Sequence, residues 1–134
     1  MLHFKVECAI LKMMKEYNIK EFAKKLEKRT QIFAVQTIRL SSRLPNSPEG
    51  KVVRNQLTKA GTSIGANYRE ANRPKSRKDF RNKIKICESE ANETKYWLEV
   101  IIGVKWLSEE EIKTEFNESC ELLALFTTIA KNSQ

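Results

Sequence analysis

Apolar residues recur at steps of three and four through most of the chain. Residues 50–71 place Val53, Leu57, Ala60, Ile64 and Ala71 on one face, and residues 77–104 do the same with Phe80, Ile84, Cys87, Ala91, Leu98 and Ile101. Residues 109–131 offer Ile112, Phe116, Leu123, Phe126 and Ala130, and residues 20–43 offer Phe22, Leu26, Phe33 and Leu40. This is the period of an amphipathic helix with one apolar stripe. The breaks between stripes carry stop and start chemistry. They are Leu44-Pro45-Asn46-Ser47-Pro48-Glu49-Gly50, then Asn72-Arg73-Pro74-Lys75, then Trp106-Leu107-Ser108. Ser108 and Glu111 have capping-box spacing, and Ser76 and Asp79 make a similar cap. Four amphipathic helices with short connections predict an all-α fold, an up-down-up-down four-helix bundle over residues 20–132. Residues 1–18 predict an additional N-terminal helix, with Leu2, Val6, Ile10, Met13 and Tyr17 on one side and a weak boundary at Asn18-Ile19-Lys20. That helix either packs on the bundle or serves as a partner-binding arm.

Composition fits this reading. A chain of 134 residues makes one domain, able to bury about two-thirds of its unfolded surface without disulfides or metal. With 4 glycines and 3 prolines, it lacks the frequent turn signals that an all-β domain needs. Cys8, Cys87 and Cys120 have no metal-ligand spacing and read as reduced, buried, small apolar side chains. Cys8-Ala9-Ile10-Leu11, the longest apolar run near the start, is far shorter than the roughly 20 residues of a spanning helix. The expectation is a soluble cytoplasmic protein with no membrane partner.

Charge changes the picture more. The net charge is +8, but residues 51–85 carry eleven Lys/Arg against two Asp/Glu, whereas residues 86–121 carry three against ten. A basic middle followed by an acidic segment suits a polyanion, or a contact between basic and acidic faces of neighbouring subunits. Within it, Lys78, Arg81 and Lys85 align on the side of their helix away from Phe80 and Ile84. Asn92 and Tyr96 continue the stripe, and Arg73, Lys75 and Arg77 extend it at the helix start. Cations with an aromatic at the far end suit a phosphate backbone and one stacked base; the plainer alternative is a solvated face. A second apolar line at Ile86, Trp97 and Val104 lies about 100° from the core face of the same helix, with Glu90 and Glu93 beside it. It predicts a homo-oligomer interface anchored by Trp97, or contact with the N-terminal helix.

Catalytic chemistry is poorly supported. His3 is the only histidine, so no Ser-His-Asp or Cys-His arrangement and no ordinary zinc site is expected. Glu88, Glu90, Glu93 and Glu99 spread around their helix instead of converging. Gly61-Thr62-Ser63-Ile64-Gly65 lacks the spacing and the Lys-Ser/Thr ending of a phosphate loop, and reads as a flat patch for close helix packing. Asn67 is expected on the core side, hydrogen-bonded to Thr94 of the next helix as a structural polar pair. The sequence therefore predicts no enzyme, no metal and no cofactor.

Several of these residues form a recognisable pattern: Gly61-Thr62-Ser63-Ile64-Gly65-Ala66-Asn67 followed by Glu70-Ala71, then Ser76 with Asp79-Phe80, then Glu90-Ala91-Asn92-Glu93-Thr94 with Tyr96-Trp97-Leu98. In order and spacing, over residues 28–131, it resembles the bacterial four-helix bundle family first noticed as proteins encoded in 23S ribosomal RNA intervening sequences. One branch is similar to the accessory variability determinant proteins of diversity-generating retroelements. The resemblance implies a ring-like homopentamer. For the retroelement branch it also implies binding of nucleic acid and of a reverse transcriptase through a basic surface. The functional expectation is a small basic oligomer that binds RNA or single-stranded DNA. The alternative is a protein-docking module whose charge complements an acidic neighbour.

Overall fold

Four helices fill the described residues, which are the backbone of residues 2–134 and the side chains from residue 8 onward in a computed structural model. They are α1 (Leu2–Ser41), α2 (Pro48–Ala71), α3 (Arg77–Gly103) and α4 (Lys113–Asn132), and no strand accompanies them among these residues. The expected breaks act by the expected chemistry. Ser47 caps α2 by accepting from the Gly50 amide at 3.0 Å, with Pro48 in the first turn. Ser76 caps α3 through the Asp79 amide at 3.0 Å, while the Asp79 carboxylate accepts from the Lys75 amide. Ser108 and Glu111 form the reciprocal capping box at 3.1 and 3.2 Å. A turn over residues 109–112 follows this box, so α4 starts at Lys113 and not at 109.

The helices pack as an up-down-up-down bundle. α2 lies against both α1 and α3, α3 lies against α4, α1 and α4 meet only lightly, and α1 and α3 stand diagonally without contact. The core has two apolar layers. One joins Leu26, Phe33, Ile64, Tyr68, Ile84, Cys87, Leu122 and Phe126. The other joins Leu40, Leu44, Val53, Leu57, Leu98, Ile101, Leu107 and Ile112. Most of the expected stripe residues are buried. Leu122 replaces Leu123 in the core because it continues the line of Ser119 and Phe126, leaving Leu123 at the rim; Phe80 and Phe116 are also partly buried. Phe22 is exposed because α1 has already passed the end of the bundle there.

Close approach of α1 to α2 accounts for the paired glycines. A Cβ on Gly61 would lie 2.5 Å from Thr37 Cγ2 and 2.9 Å from Thr37 Cβ, and one on Gly65 would lie 3.0 Å from Thr30 Oγ1. The threonines seated on these glycines are fully buried, and their hydroxyls donate to carbonyls of their own helix, Thr30 to Leu26 at 3.0 Å and Thr37 to Phe33 at 2.8 Å. No buried polar cost is left at this contact.

Two expectations are corrected. No boundary interrupts Asn18-Ile19-Lys20: α1 runs unbroken over 40 residues, about 60 Å against about 36 Å for α2. The three residues include neither glycine nor proline, so nothing ends the hydrogen-bond ladder there. The proposed N-terminal helix is thus the first half of α1. Its side chains from Cys8 to Lys20 are all exposed, so it projects from the bundle as an arm and does not pack on it. Leu2 and Val6 of its expected stripe, and His3, lie outside the described side chains. The second correction concerns Asn67, which is half-buried and donates to the Ser63 carbonyl of its own helix at 2.8 Å. Tyr68 takes the core position, and Thr94, buried as expected, donates to the Glu90 carbonyl at 2.7 Å. The Asn67–Thr94 pair does not form.

The end of α3 carries a signal the sequence does not announce. The Lys105 amide donates to Ile102 and the Trp106 amide to Ile101, the double bond of a Schellman stop, with Lys105 at φ 61° where glycine is the usual occupant. Lys105→Gly should therefore raise stability by about 1 kcal/mol, measured by urea unfolding. Among the described residues no helix is long and apolar enough to cross a membrane.

Candidate nucleic-acid interface

The turn from α2 to α3 displays most of the basic segment at one end of the bundle. Asn72 ends α2, donating its amide to Tyr68 at 3.1 Å, and its side chain donates to Glu27 of α1 at 2.9 Å. The turn is thereby fixed to α1. Pro74 and the Ser76 cap then start α3 within a few residues, so Arg73, Lys75, Arg77 and Lys78 emerge together, all exposed. Lys78 and Lys85 lie on the outer side of α3, away from Cys87 and Ala91, while Arg81, about 60° round the helix from Ile84, sits on the flank; Lys85 is exposed and Arg81 half-buried. None of these six cations makes an ion pair within 4.0 Å among the described residues.

Neighbouring cations behave differently. Lys83 donates to Glu70 at 2.7 Å, a bond that raises the lysine's pKa, and Arg69 reaches Glu27 at 3.8 Å and Gln31 at 3.4 Å. These two line a shallow cleft of about 370 Å³ with Glu70, Arg73, Lys75 and Asp79. Sequence reasoning passed over Arg69 and Lys83 because they sit off the α3 stripe. Arg69 was nonetheless legible as the residue one helical turn before Arg73. The face is therefore divided into cations held by carboxylates and six that are free to meet an anion. Lys24, Lys25 and Lys28 of α1, all exposed, stand near the same end, since Glu27 between them is level with Asn72.

Farther along α3 the stripe continues with exposed Asn92 and Tyr96. The Tyr96 and Trp97 rings meet edge to face, with centroids 5.0 Å apart, and Tyr96 is 56% exposed. At the opposite end of the bundle, Glu99, Glu109 and Glu110 surround a cleft of about 650 Å³ between α3 and α4. The end of α2 and the start of α3 share one end, so most cations of the basic segment gather there, whereas the opposite end mixes these glutamates with Lys51, Arg54, Lys105 and Lys113.

The five expected interface residues fall on one side of α3. Ile86 and Val104 are exposed. Trp97 is half-buried, packs on the second core layer and donates its indole N–H to Glu93 at 3.4 Å. Burial, and then the nearby Glu93 charge, hold the Glu90 carboxyl above its usual range, against an opposing pull from Lys59. The alternative cover for this line, the N-terminal helix, is ruled out by the distance between α1 and α3. Of the cysteines, only Cys87 is fully buried, its thiol pushed up to about 12 by burial; Cys120 is half-buried and Cys8 exposed, which corrects the expectation for those two.

Comparison with known proteins identifies the scaffold. Residues 23–128 match the family described as 23S rRNA-intervening sequence protein, so the arm lies outside the match. A crystal structure of a protein of unknown function from the S23 ribosomal protein family of Bacteroides thetaiotaomicron is similar to the chain at 40% identity and a TM-score of 0.73. The alignment covers 78% of this chain and 97% of that one. No curated protein gives a significant match to the chain. On the family match and on the four-helix architecture described above, the chain belongs to the 23S rRNA-intervening sequence protein family.

Proposed function

We propose that the protein is a non-enzymatic cytoplasmic homo-oligomer that binds nucleic acid, chiefly RNA, through the face holding Arg73, Lys75, Arg77, Lys78, Arg81 and Lys85. One observation carries the reading: these cations stand together at one end of the bundle without carboxylate partners among the described residues, whereas Lys83 and Arg69 beside them are engaged. Unpaired cations on a rigid helix and its capped turn suit phosphate oxygens, which position a nucleic acid without reading its sequence. The family name, tied to ribosomal RNA intervening sequences, favours RNA over single-stranded DNA.

The oligomer is proposed to form through Ile86, Glu90, Glu93, Trp97 and Val104, and the family resemblance favours a pentameric ring. Each subunit then repeats the basic face, and individually weak contacts add by avidity. The test is an anisotropy titration of a fluorescent, structured RNA with the full-length protein at low salt. Saturable binding is expected. No binding would leave the protein-docking reading, in which the basic face meets an acidic protein such as a reverse transcriptase.

A further inference from the structure

A second cationic cleft, of about 520 Å³, lies at the other end of the bundle, between the end of α1 and the start of α2. Lys51, Arg54 and Lys59 line it and no carboxylate does, unlike the clefts at the α2–α3 turn and between α3 and α4. Its hydroxyls are already ordered. Thr58 donates to Ser41 at 3.0 Å, and Ser41, only 7% exposed, donates to the Ile38 carbonyl at 2.9 Å. The three cations and the amides of Asn46 and Asn55 are not: none of these five side chains makes a hydrogen bond or an ion pair among the described residues. Arg43, two residues beyond Ser41, is by contrast held by Glu111 at 2.9 Å. Lys59 is close enough to Glu90 to draw that carboxyl's pKa down, yet forms no ion pair with it within 4.0 Å. Arg54 is half-buried, and partly burying an unpaired guanidinium costs free energy that a bound anion offsets.

We infer that this cleft is a separate anion site that takes a group of adjacent phosphates, such as a diphosphate. Three cations from one helix match a ligand of several negative charges. The Arg54 guanidinium offers a planar fork to two phosphate oxygens, and the ammonium groups of Lys51 and Lys59 add point charges on either side. Asn46 and Asn55 supply neutral N–H donors for the remaining oxygens. No apolar or aromatic side chain lines the cleft, so recognition is confined to the phosphates and does not extend to a base or an acyl chain. The start of α2 contributes little by itself, because Pro48 has no N–H and the Gly50 amide is taken by Ser47. The walls are firm, since Gly61 brings α2 close against Thr37 of α1 and Thr58 is bonded to Ser41. The phosphates come either from a free diphosphate or from an RNA that ends in a triphosphate. The site lies at the opposite end from the six cations and does not rest on their proposed role.

The experiment is a calorimetric titration of inorganic pyrophosphate into the full chain at low salt, with melting curves to confirm folding. The samples are wild type, Arg54→Gln with Lys59→Gln, Lys51→Glu alone, and the reversal of Lys78, Arg81 and Lys85 to glutamate. Wild type should bind one pyrophosphate per chain. Affinity should fall about tenfold or more in the double variant and in Lys51→Glu, as expected for lost charged hydrogen bonds, and stay unchanged in the triple reversal. No binding by wild type, or binding that the double variant and Lys51→Glu leave intact, would overturn the site. Loss in the triple reversal alone would move pyrophosphate to the other end and overturn this inference while leaving the nucleic-acid reading standing. Two RNAs of one sequence, ending in a triphosphate or in a hydroxyl, then name the source. In the triple reversal, a preference for the triphosphate that disappears on adding Arg54→Gln and Lys59→Gln identifies an RNA end. Equal affinities for the two RNAs, with pyrophosphate binding retained, identify a free diphosphate.

Discussion

Reversing Lys78, Arg81 and Lys85 together to glutamate should weaken RNA binding at low salt by about a hundredfold or more, since phosphate neutralisation supplies most of such affinity. The change removes three positive charges and places three carboxylates against the phosphates. Ion-pair loss inside the protein does not confuse the result, because none of the three has a carboxylate partner within 4.0 Å among the described residues. Lys78 and Lys85 are exposed, so each should move unfolding free energy by no more than about 0.5 kcal/mol, and half-buried Arg81, on the flank of the core line, by about 1 kcal/mol. Lys83→Glu is the informative comparison. It replaces a lysine bound to Glu70 at 2.7 Å, and should weaken binding far less than any stripe reversal. Anisotropy titrations beside thermal melts separate the two effects.

Gly61→Leu should destabilise the bundle by about 3 kcal/mol, the upper part of the usual range for overpacking a close contact. The first carbon of any side chain there already meets Thr37, whose Cβ would lie only 2.9 Å away. Thr37 cannot turn aside easily: it is β-branched, fully buried, and its hydroxyl is bonded to the Phe33 carbonyl at 2.8 Å. Relief therefore requires α1 and α2 to separate along their whole seam. Gly103→Ala provides the contrast, because nothing lies within 4 Å of a Cβ at that position. It should leave stability unchanged or raise it by up to about 1 kcal/mol. Urea unfolding of the two variants would show the difference.

These sites also show what the sequence could disclose. Spacing alone placed Leu57, Ile64, Ile84, Leu98 and Phe126 in the core, and the glycine pair on a helix contact, because burial follows helical phase. Phase was less useful where several polar solutions compete. Asn67 lies one residue from Tyr68, so a small error in the position of the core line exchanged them. The asparagine amide then found an acceptor in its own helix, at Ser63. Ser and Thr at Thr30, Thr37 and Ser119 are buried because they too bond to carbonyls within their helices, a possibility that apolar counting ignores. Residues 18–20 read as a weak boundary because they separate two apolar stripes, Leu2 to Tyr17 and Phe22 to Leu40. A helix continues from one stripe into the next when no residue breaks the hydrogen-bond ladder, as α1 does. The six cations were legible as a stripe, but pairing was not. Which lysine meets Glu70, and which stays free, depends on how α2 and α3 face each other after the Pro74 turn.

Salt dependence of RNA binding tests the central claim most directly. If the six free cations meet phosphates, each contact releases counterions, and the logarithm of the affinity should fall linearly with that of salt concentration. A slope near −5 is expected if all six engage a duplex, and about −3 if half do. The same slope should hold for RNAs of unrelated sequence, and it should flatten in the Lys78, Arg81 and Lys85 reversal. Affinity that is insensitive to salt, or a slope unchanged by that reversal, would contradict nucleic-acid binding through this face.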